Sequence, residues 1–152
     1  MNPFYSQATT PQTPYITSVL GSKQMSVTLY HHTSNTGVIG ILTDGFIRQS
    51  EDGGPDAVYG TGVYLTSFGP DRSERSVAIN NFNNAASYML QQGRGQFILE
   101  VEVSISNVRK ANDVRDIYIH SGVIPKEQIK AIYKRNGDGN AILCSINISN
   151  IE

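Results

Sequence analysis

Apolar and polar residues alternate most regularly over residues 96–104, where Phe97, Leu99, Val101 and Val103 fall on one face. This period of two predicts a half-buried β-strand. Shorter apolar runs, rich in β-branched and aromatic residues, predict further strands at residues 26–31, 62–66, 116–120, 129–134 and 141–148. The sequence NGDGN at residues 136–140 predicts a hairpin between the last two of these strands.

Two other segments have the residue spacing of a helix. In the first, apolar residues recur at i, i+3 and i+4 and a glycine follows at the expected C-cap: Val38, Ile41, Leu42 and Gly45. The second covers residues 71–92, and Asp71 is predicted to cap it, with Glu74 three residues later. Four asparagines between residues 80 and 84 weaken this helix and predict a break in it.

The order of these elements is a strand, a helix, a strand, a helix and then a run of strands, which predicts an α+β domain with a split antiparallel sheet. A chain of 152 residues fits one domain. Residues 1–24 are rich in Thr, Ser, Gln and Pro and are predicted to be a flexible lead-in, whereas residues 25–152 form the domain.

The composition of the chain limits which binding partners and which cellular locations are expected. The net charge of −1 gives no general affinity for nucleic acid or an anionic membrane, and no segment approaches the roughly 20 apolar residues of a membrane span. The N-terminus lacks a recognisable secretory signal. A cytoplasmic protein and an effector delivered by another route both fit. The single cysteine, Cys144, excludes a disulfide within the chain and is predicted to be buried.

The candidate chemistry lies in two short segments. LYHHTS at residues 29–34 and YGTGVYLT at residues 59–66 each place a polar functional group, His31 or Tyr64, on a predicted strand. Together with the helix between them, they resemble the His-Tyr branch of the ADP-ribosyltransferase superfamily. That branch includes diphtheria-toxin-like enzymes, poly(ADP-ribose) polymerases and rifamycin-modifying transferases. The resemblance covers residues 27–135 and is closest to the toxin-type group named for a His-Tyr-Asp signature.

The resemblance implies a split-sheet fold with an NAD cleft, NAD as the substrate and no metal. It implies that His31 donates or accepts a hydrogen bond with the ribose next to adenine. It also implies that the main chain at His32 pairs with the nicotinamide carboxamide and that Thr33, the next residue, belongs to the same binding segment. Most relatives have glycine after the histidine, so His32 is a departure. Tyr64 would stack on the cationic nicotinamide ring.

Neighbours of Tyr64 are further binding candidates. Gly62 would leave room for a ligand to approach the backbone closely, and Thr66 would bond the substrate amide. A second aromatic wall would come from Phe82 or Tyr88. Arg72 and Arg75 are candidates for the pyrophosphate, with ordinary solvation as the alternative.

A third group is an acid that stabilises the oxocarbenium-like ribose carbon formed on cleavage. Asp116 opens a predicted strand at the place where the polymerase branch carries its glutamate, and it is the first candidate. Asp113, Glu100 and Glu102 are alternatives, although the two glutamates lie on the face where solvated residues are expected. An aspartate is one methylene shorter than a glutamate, so its strand has to lie closer to the ribose.

The predicted function is cleavage of the nicotinamide–ribose bond of NAD, with ADP-ribose passing to a protein, nucleic-acid or small-molecule acceptor, or to water. The main alternative is a catalytically inactive transferase fold that serves as a binding module. RNA 2′-phosphotransferases share the fold but depend on several arginines that have no counterpart here. Neighbouring histidines on a strand face opposite sides, which disfavours a metal site, and no GxSxG nucleophile motif is present.

Overall fold

A computed structural model describes residues 16–19, 22–51, 58–111 and 114–145. Within these ranges the chain forms ten strands and three α-helices. The strands are β1 (Ile16–Val19), β2 (Ser22–Thr33), β3 (Phe46–Ile47), β4 (Val63–Leu65), β5 (Phe97–Ser104), β6 (Val108–Lys110), β7 (Tyr118–His120), β8 (Ile124–Pro125), β9 (Ile129–Arg135) and β10 (Ala141–Ser145). The helices are α1 (Asn35–Asp44), α2 (Glu74–Phe82) and α3 (Ala86–Gln91).

The strands pair antiparallel in every sheet of the described chain. The largest sheet has the order β1-β2-β5-β9-β10, a three-stranded sheet has the order β4-β7-β6, and β3 pairs with β8. In the large sheet His31 of β2 lies opposite Leu99 of β5. The prediction of a mixed fold with antiparallel sheets is therefore confirmed.

A hydrophobic core joins the large sheet to α1 and to the smaller sheets. It includes Leu29, Val38, Ile47, Val63, Leu99 and Ile124, all at most 7% exposed. Full burial of such a side chain stabilises a protein by about 1.5–3 kcal/mol, so these contacts hold β4 against β2. Gly45 ends α1 in the left-handed conformation, as predicted, and its N–H donates to Ile41.

Four local predictions differ from the structure or gain detail from it. Strand pairing begins at Ile16, inside the predicted lead-in. The N-cap of α2 is Ser73 and not Asp71, because the Ser73 hydroxyl accepts from the N–H of Ser76. The predicted break in this helix is confirmed at Asn83, which has a φ of 54°. Cys144 is exposed rather than buried.

No helix within the described ranges is both long and apolar enough to span a bilayer.

Candidate functional site

A short bridge outside the regular strands brings His31 and Tyr64 together. The Tyr30 N–H donates to the Thr66 carbonyl at 2.8 Å, and the Thr66 N–H donates back to the Tyr30 carbonyl at 2.9 Å. This pairing lays the end of β4 beside β2. The His31 side chain then reaches β4 and donates from Nδ1 to the Tyr64 carbonyl at 3.1 Å.

The state of the His31 imidazole follows from this contact. A carbonyl oxygen only accepts, so Nδ1 carries the proton. Burial lowers the pKa of His31, the bond to the Tyr64 carbonyl raises it, and the positive charge of Arg94 lowers it further. The imidazole is therefore neutral at pH 7, and its Nε2 is a hydrogen-bond acceptor.

His31 and Tyr64 line a cavity of about 510 Å³, within the range typical of small-molecule sites. His32 and Ile117 also line it, and residues 81–85, at the break between α2 and α3, form part of its wall. The charged residues in the described lining are Arg94 and Arg115, and this lining contains no aspartate or glutamate.

Tyr64 is held by its hydroxyl as well as by its strand. The hydroxyl accepts from the Tyr59 N–H at 2.7 Å and donates to the Gly60 carbonyl at 2.8 Å. Arg109 donates to the Tyr59 carbonyl at 2.8 Å, and Arg115 donates to the Tyr59 hydroxyl at 2.9 Å. These bonds fix Tyr59 beside Tyr64, and both side chains line the cavity.

His32 lies on the same strand but is bonded differently. Its Nε2 donates to the Phe68 carbonyl at 2.8 Å, and burial lowers its pKa to about 4. Its Nδ1 is buried without a hydrogen-bond partner in the described structure. The side chain of Thr33 packs against α1, because a Cβ built on Gly37 would lie 2.0 Å from its hydroxyl oxygen.

Gly62 and Thr66 are not in the described lining of the cavity. A Cβ at Gly62 would lie 2.3 Å from Ile119 Cγ2 and 2.8 Å from the His120 carbonyl oxygen, and its φ is +153°. Packing of β4 against β7 therefore requires this glycine. Thr66 is 1% exposed and donates to the carboxylate of Asp116 at 2.9 Å.

The Asp116 side chain also lies outside the described lining, although its neighbours Arg115 and Ile117 belong to it. Besides the Thr66 bond, its carboxylate accepts from the Ser67 N–H at 2.6 Å and from the Ser67 hydroxyl at 2.5 Å. Asn80 clamps its backbone by donating to the Asp116 carbonyl and accepting from the Asp116 N–H, both at 2.8 Å. This carboxylate therefore joins the end of β4 to the segment before β7.

The alternative acids do not reach the described cavity lining either. Glu100 accepts from the Tyr133 hydroxyl at 3.0 Å, and Glu102 accepts from the Ser26 hydroxyl at 2.9 Å. Asp113 lies outside the described residues. In this structure, then, His31, His32 and Tyr64 share the cavity, whereas the candidate acids that are described lie outside its lining.

Among the weaker candidates, which are Phe82, Tyr88, Arg72 and Arg75, only Phe82 is in the described lining of the cavity. Tyr88 is 59% exposed, and Arg72 stacks on Phe68 with 3.8 Å between the guanidinium carbon and the ring centre. Sequence reasoning missed Arg94 and Arg115. Arg115 directly precedes Asp116, the first candidate acid, but nothing in the sequence around either arginine shows that its side chain reaches the cavity.

The cavity thus combines the neutral imidazole acceptor of His31 with three aromatic rings and two guanidinium groups. These groups suit an anionic ligand with hydroxyl groups and a flat cationic ring. A family model described as HYD1 signature containing ADP-ribosyltransferase matches residues 29–128. No curated protein and no solved structure matches the chain. The resemblance inferred from LYHHTS and YGTGVYLT is confirmed, and the chain belongs to this toxin-type family of ADP-ribosyltransferases.

Proposed function

We propose that the chain binds NAD in the cavity, cleaves its nicotinamide–ribose bond and passes ADP-ribose to an acceptor. The acceptor is a protein, a nucleic acid, a small molecule or water. The observation that supports this best is the placement of His31 and Tyr64 in one cavity, joined by a hydrogen bond of 3.1 Å. In the reaction the C–N bond breaks, nicotinamide leaves with the electron pair, and the positive charge passes to the ribose.

His31 acts as a positioning group in this proposal. Its neutral Nε2 accepts a hydroxyl of the adenine-side ribose, while Nδ1 keeps its bond to the Tyr64 carbonyl. The bond to Tyr64 fixes the orientation of the ring, so the substrate pays less ordering entropy on binding. A proton-transfer role for the imidazole is not part of the proposal.

Tyr64 supplies the aromatic wall for the nicotinamide ring. The contact between an aromatic face and a cationic ring is worth about 1–2 kcal/mol when it is partly desolvated. The hydroxyl is occupied by Tyr59 and Gly60, so the ring is held in place without using the face that the ligand needs. Phe82 provides a second apolar surface, and the main chain at His32 pairs with the carboxamide.

Asp116 is the proposed source of the carboxylate that stabilises the oxocarbenium ion. Its Oδ2 accepts from the hydroxyl of Ser67, which is exposed. A ribose hydroxyl is the same kind of donor and would replace that hydroxyl, while Oδ1 keeps its bonds to Thr66 and the Ser67 N–H. A carboxylate bonded to the ribose hydroxyl would then lower the energy of the developing cation.

The test is nicotinamide release from NAD by the intact chain and by His31→Ala, Tyr64→Ala and Asp116→Asn. Tyr88→Ala is the control, because Tyr88 is exposed and lies outside the described cavity lining. We expect release by wild type and by the control, and a loss of about tenfold or more in the other variants, since each loses at least about 1.4 kcal/mol of interaction. Equal release by Tyr64→Ala and wild type would refute the assignment of the site.

A non-catalytic NAD-binding module is the second candidate. It is favoured by one observation, the absence of any carboxylate from the described cavity lining. The two candidates separate cleanly, because a binding module binds NAD without releasing nicotinamide at any protein concentration. The acceptor assay uses labelled NAD with cell extract, so that transfer to a macromolecule and hydrolysis are distinguished by where the label ends.

A further inference from the structure

An exposed serine hydroxyl is hydrogen-bonded to the carboxylate of Asp116. Ser67 follows the bridge that joins the end of β4 to β2, and its hydroxyl donates to Asp116 Oδ2 at 2.5 Å. This distance is at the short end of the range for a hydroxyl that donates to a carboxylate. A hydroxyl in contact with a base that a further group orients is the arrangement that activates a nucleophile.

Other bonds hold the carboxylate of this pair in place. Oδ1 of Asp116 accepts from the Thr66 hydroxyl at 2.9 Å and from the Ser67 N–H at 2.6 Å. Asn80 bonds both the N–H and the carbonyl of Asp116, each at 2.8 Å. The side chain is therefore fixed through Oδ1 and through its backbone, and Oδ2 is the atom that can exchange partners. A carboxylate has about four lone-pair positions, and the bonds in the described structure use three of them.

The pair of Ser67 and Asp116 lies next to the cavity. Leu65, two residues before Ser67, belongs to the cavity lining. Arg115 and Ile117, on either side of Asp116, belong to it as well. A ribose that extends from the cavity to the Asp116 carboxylate therefore meets the Ser67 hydroxyl beside it.

The configuration of NAD determines which face of this ribose the serine meets. Nicotinamide and the hydroxyl on the neighbouring ribose carbon lie on opposite faces of the sugar ring. A nucleophile that enters opposite the leaving group therefore approaches on the face that carries this hydroxyl. When the ribose hydroxyl takes the place of the serine on Oδ2, the Ser67 oxygen lies on that face. Its proton then has the remaining lone-pair position of the same carboxylate as an acceptor.

We propose that Ser67 is an acceptor of ADP-ribose, so that the chain modifies itself. This inference rests on the proposed function and names one acceptor for it. The bond between nicotinamide and the anomeric carbon of the ribose breaks, and nicotinamide leaves as a neutral molecule with the electron pair. A lone pair of Ser67 Oγ forms the new bond to the anomeric carbon, and the hydroxyl proton passes to Asp116 and then to water. NAD and the serine hydroxyl thus give ADP-ribosylserine, nicotinamide and a proton.

The experiment incubates the intact chain with NAD labelled in its adenine, and measures both the nicotinamide released and the label bound to the chain. Tryptic digestion and mass spectrometry locate the adduct, because cleavage after Arg48 and Arg72 leaves Ser67 on a single peptide. We expect ADP-ribose on that peptide. The label bound per nicotinamide released should be lost in Ser67→Ala and recover in Ser67→Thr, which restores a hydroxyl.

Ser26→Ala is the matched control. The Ser26 hydroxyl also donates to a carboxylate, that of Glu102 at 2.9 Å, but no residue of the described cavity lining lies within two positions of either. This variant should keep the label of wild type. Free ADP-ribose in place of NAD should give no adduct on the Ser67 peptide, because its anomeric carbon has no nicotinamide to release. Hydroxylamine removes ADP-ribose from a carboxylate ester but not from a serine, so it reveals an adduct on Asp116 instead.

Each outcome decides between the inference and the proposed function. Nicotinamide release without label on the Ser67 peptide, or equal label in Ser67→Ala and Ser26→Ala, would overturn the inference and leave the proposed function standing. An adduct that hydroxylamine removes would also overturn it, since an acid would then be the acceptor. Absence of both release and label would refute the proposed function and self-modification with it. Circular dichroism checks that Ser67→Ala is folded, as expected from the bonds to Thr66 and the N–H of residue 67 that Asp116 keeps.

Discussion

Replacing Asp116 by alanine tests whether its carboxylate joins β4 to the segment before β7. The substitution removes the acceptor of three hydrogen bonds, one from the Thr66 hydroxyl and two from Ser67. Thr66 is 1% exposed, so its hydroxyl would lose this acceptor without gaining water. Both Ser67 donors belong to an exposed residue, and water would take over much of what they lose.

The expected cost follows from this difference in exposure. A buried donor left without its partner costs about 1–3 kcal/mol. The two bonds from Ser67 have a charged acceptor, but replacement by water leaves a net loss of about 0.5–1 kcal/mol from them. Together these losses predict that Asp116→Ala lowers the free energy of unfolding by about 3 kcal/mol. For a domain of this size that is a fall in Tm of about 6–12 °C.

Urea and thermal denaturation followed by circular dichroism measure this loss. Ser67→Ala is the matched control, since it removes the bond from the Ser67 hydroxyl but keeps the Thr66 and N–H bonds, and it should cost less than about 1 kcal/mol. Asp116→Asn keeps an acceptor for Thr66 and should lie between the two. The reasoning fails if Asp116→Ala is as stable as Ser67→Ala, because the carboxylate would then hold nothing in place.

Three further predictions concern the same strands. Gly62→Ala should lower the free energy of unfolding, measured in urea, by about 3 kcal/mol or more, because the new Cβ would lie 2.3 Å from Ile119 Cγ2. Gly40→Ala in α1 is the control: its Cβ would have no neighbour within 4 Å, and it should raise the free energy of unfolding by about 0.5–1 kcal/mol. Similar free energies of unfolding for the two variants would contradict this prediction. Burial lowers the pKa of His32 from an ordinary 6.5 to about 4, so between these values the unfolded state binds more protons. Above pH 6.5 the folded state has the full stability that goes with a neutral His32, and about 3 kcal/mol of the free energy of unfolding should be lost as the pH falls to 4. His32→Gln should flatten this part of a plot of the urea midpoint against pH. An unchanged slope in the variant would show that other groups cause the loss. Tyr64→Phe keeps the aromatic face and should retain about tenfold more kcat/KM for nicotinamide release than Tyr64→Ala, and equal losses would show that the hydroxyl rather than the ring is needed.

Local sequence patterns predicted much of the framework because they depend on short-range physics. The alternation at residues 96–104 gave β5, and the apolar spacing before Gly45 gave α1 with its C-cap. The asparagines between residues 80 and 84 marked the break between α2 and α3. The N-cap of α2 was harder to predict, because Asp71 and Ser73 are both good N-cap residues and the helix begins after Ser73.

The environment of a side chain was harder to predict, because it depends on strands far away in the sequence. Cys144 lies in an apolar run and yet is exposed, on β10, which is the last strand of its sheet in the described part of the chain. Gly62 was expected to make room for a ligand, but the close neighbours that require a glycine there are Ile119 and His120 of β7. Neither the edge position nor the strand pairing is written in the residues around these sites.

For the site itself, the sequence alone determined that His31 and Tyr64 belong to one motif, because LYHHTS, YGTGVYLT and the helix between them together resemble the signature of a known family. Only the tertiary structure decided which other residues join them. β2, the end of β4 and the break after α2 line one cavity together with Arg94 and Arg115, and the Asp116 carboxylate is bonded to Thr66 and Ser67. Such choices depend on the direction in which each side chain points from its strand and on contacts between residues as far as 50 positions apart in the sequence, and no local pattern determines either.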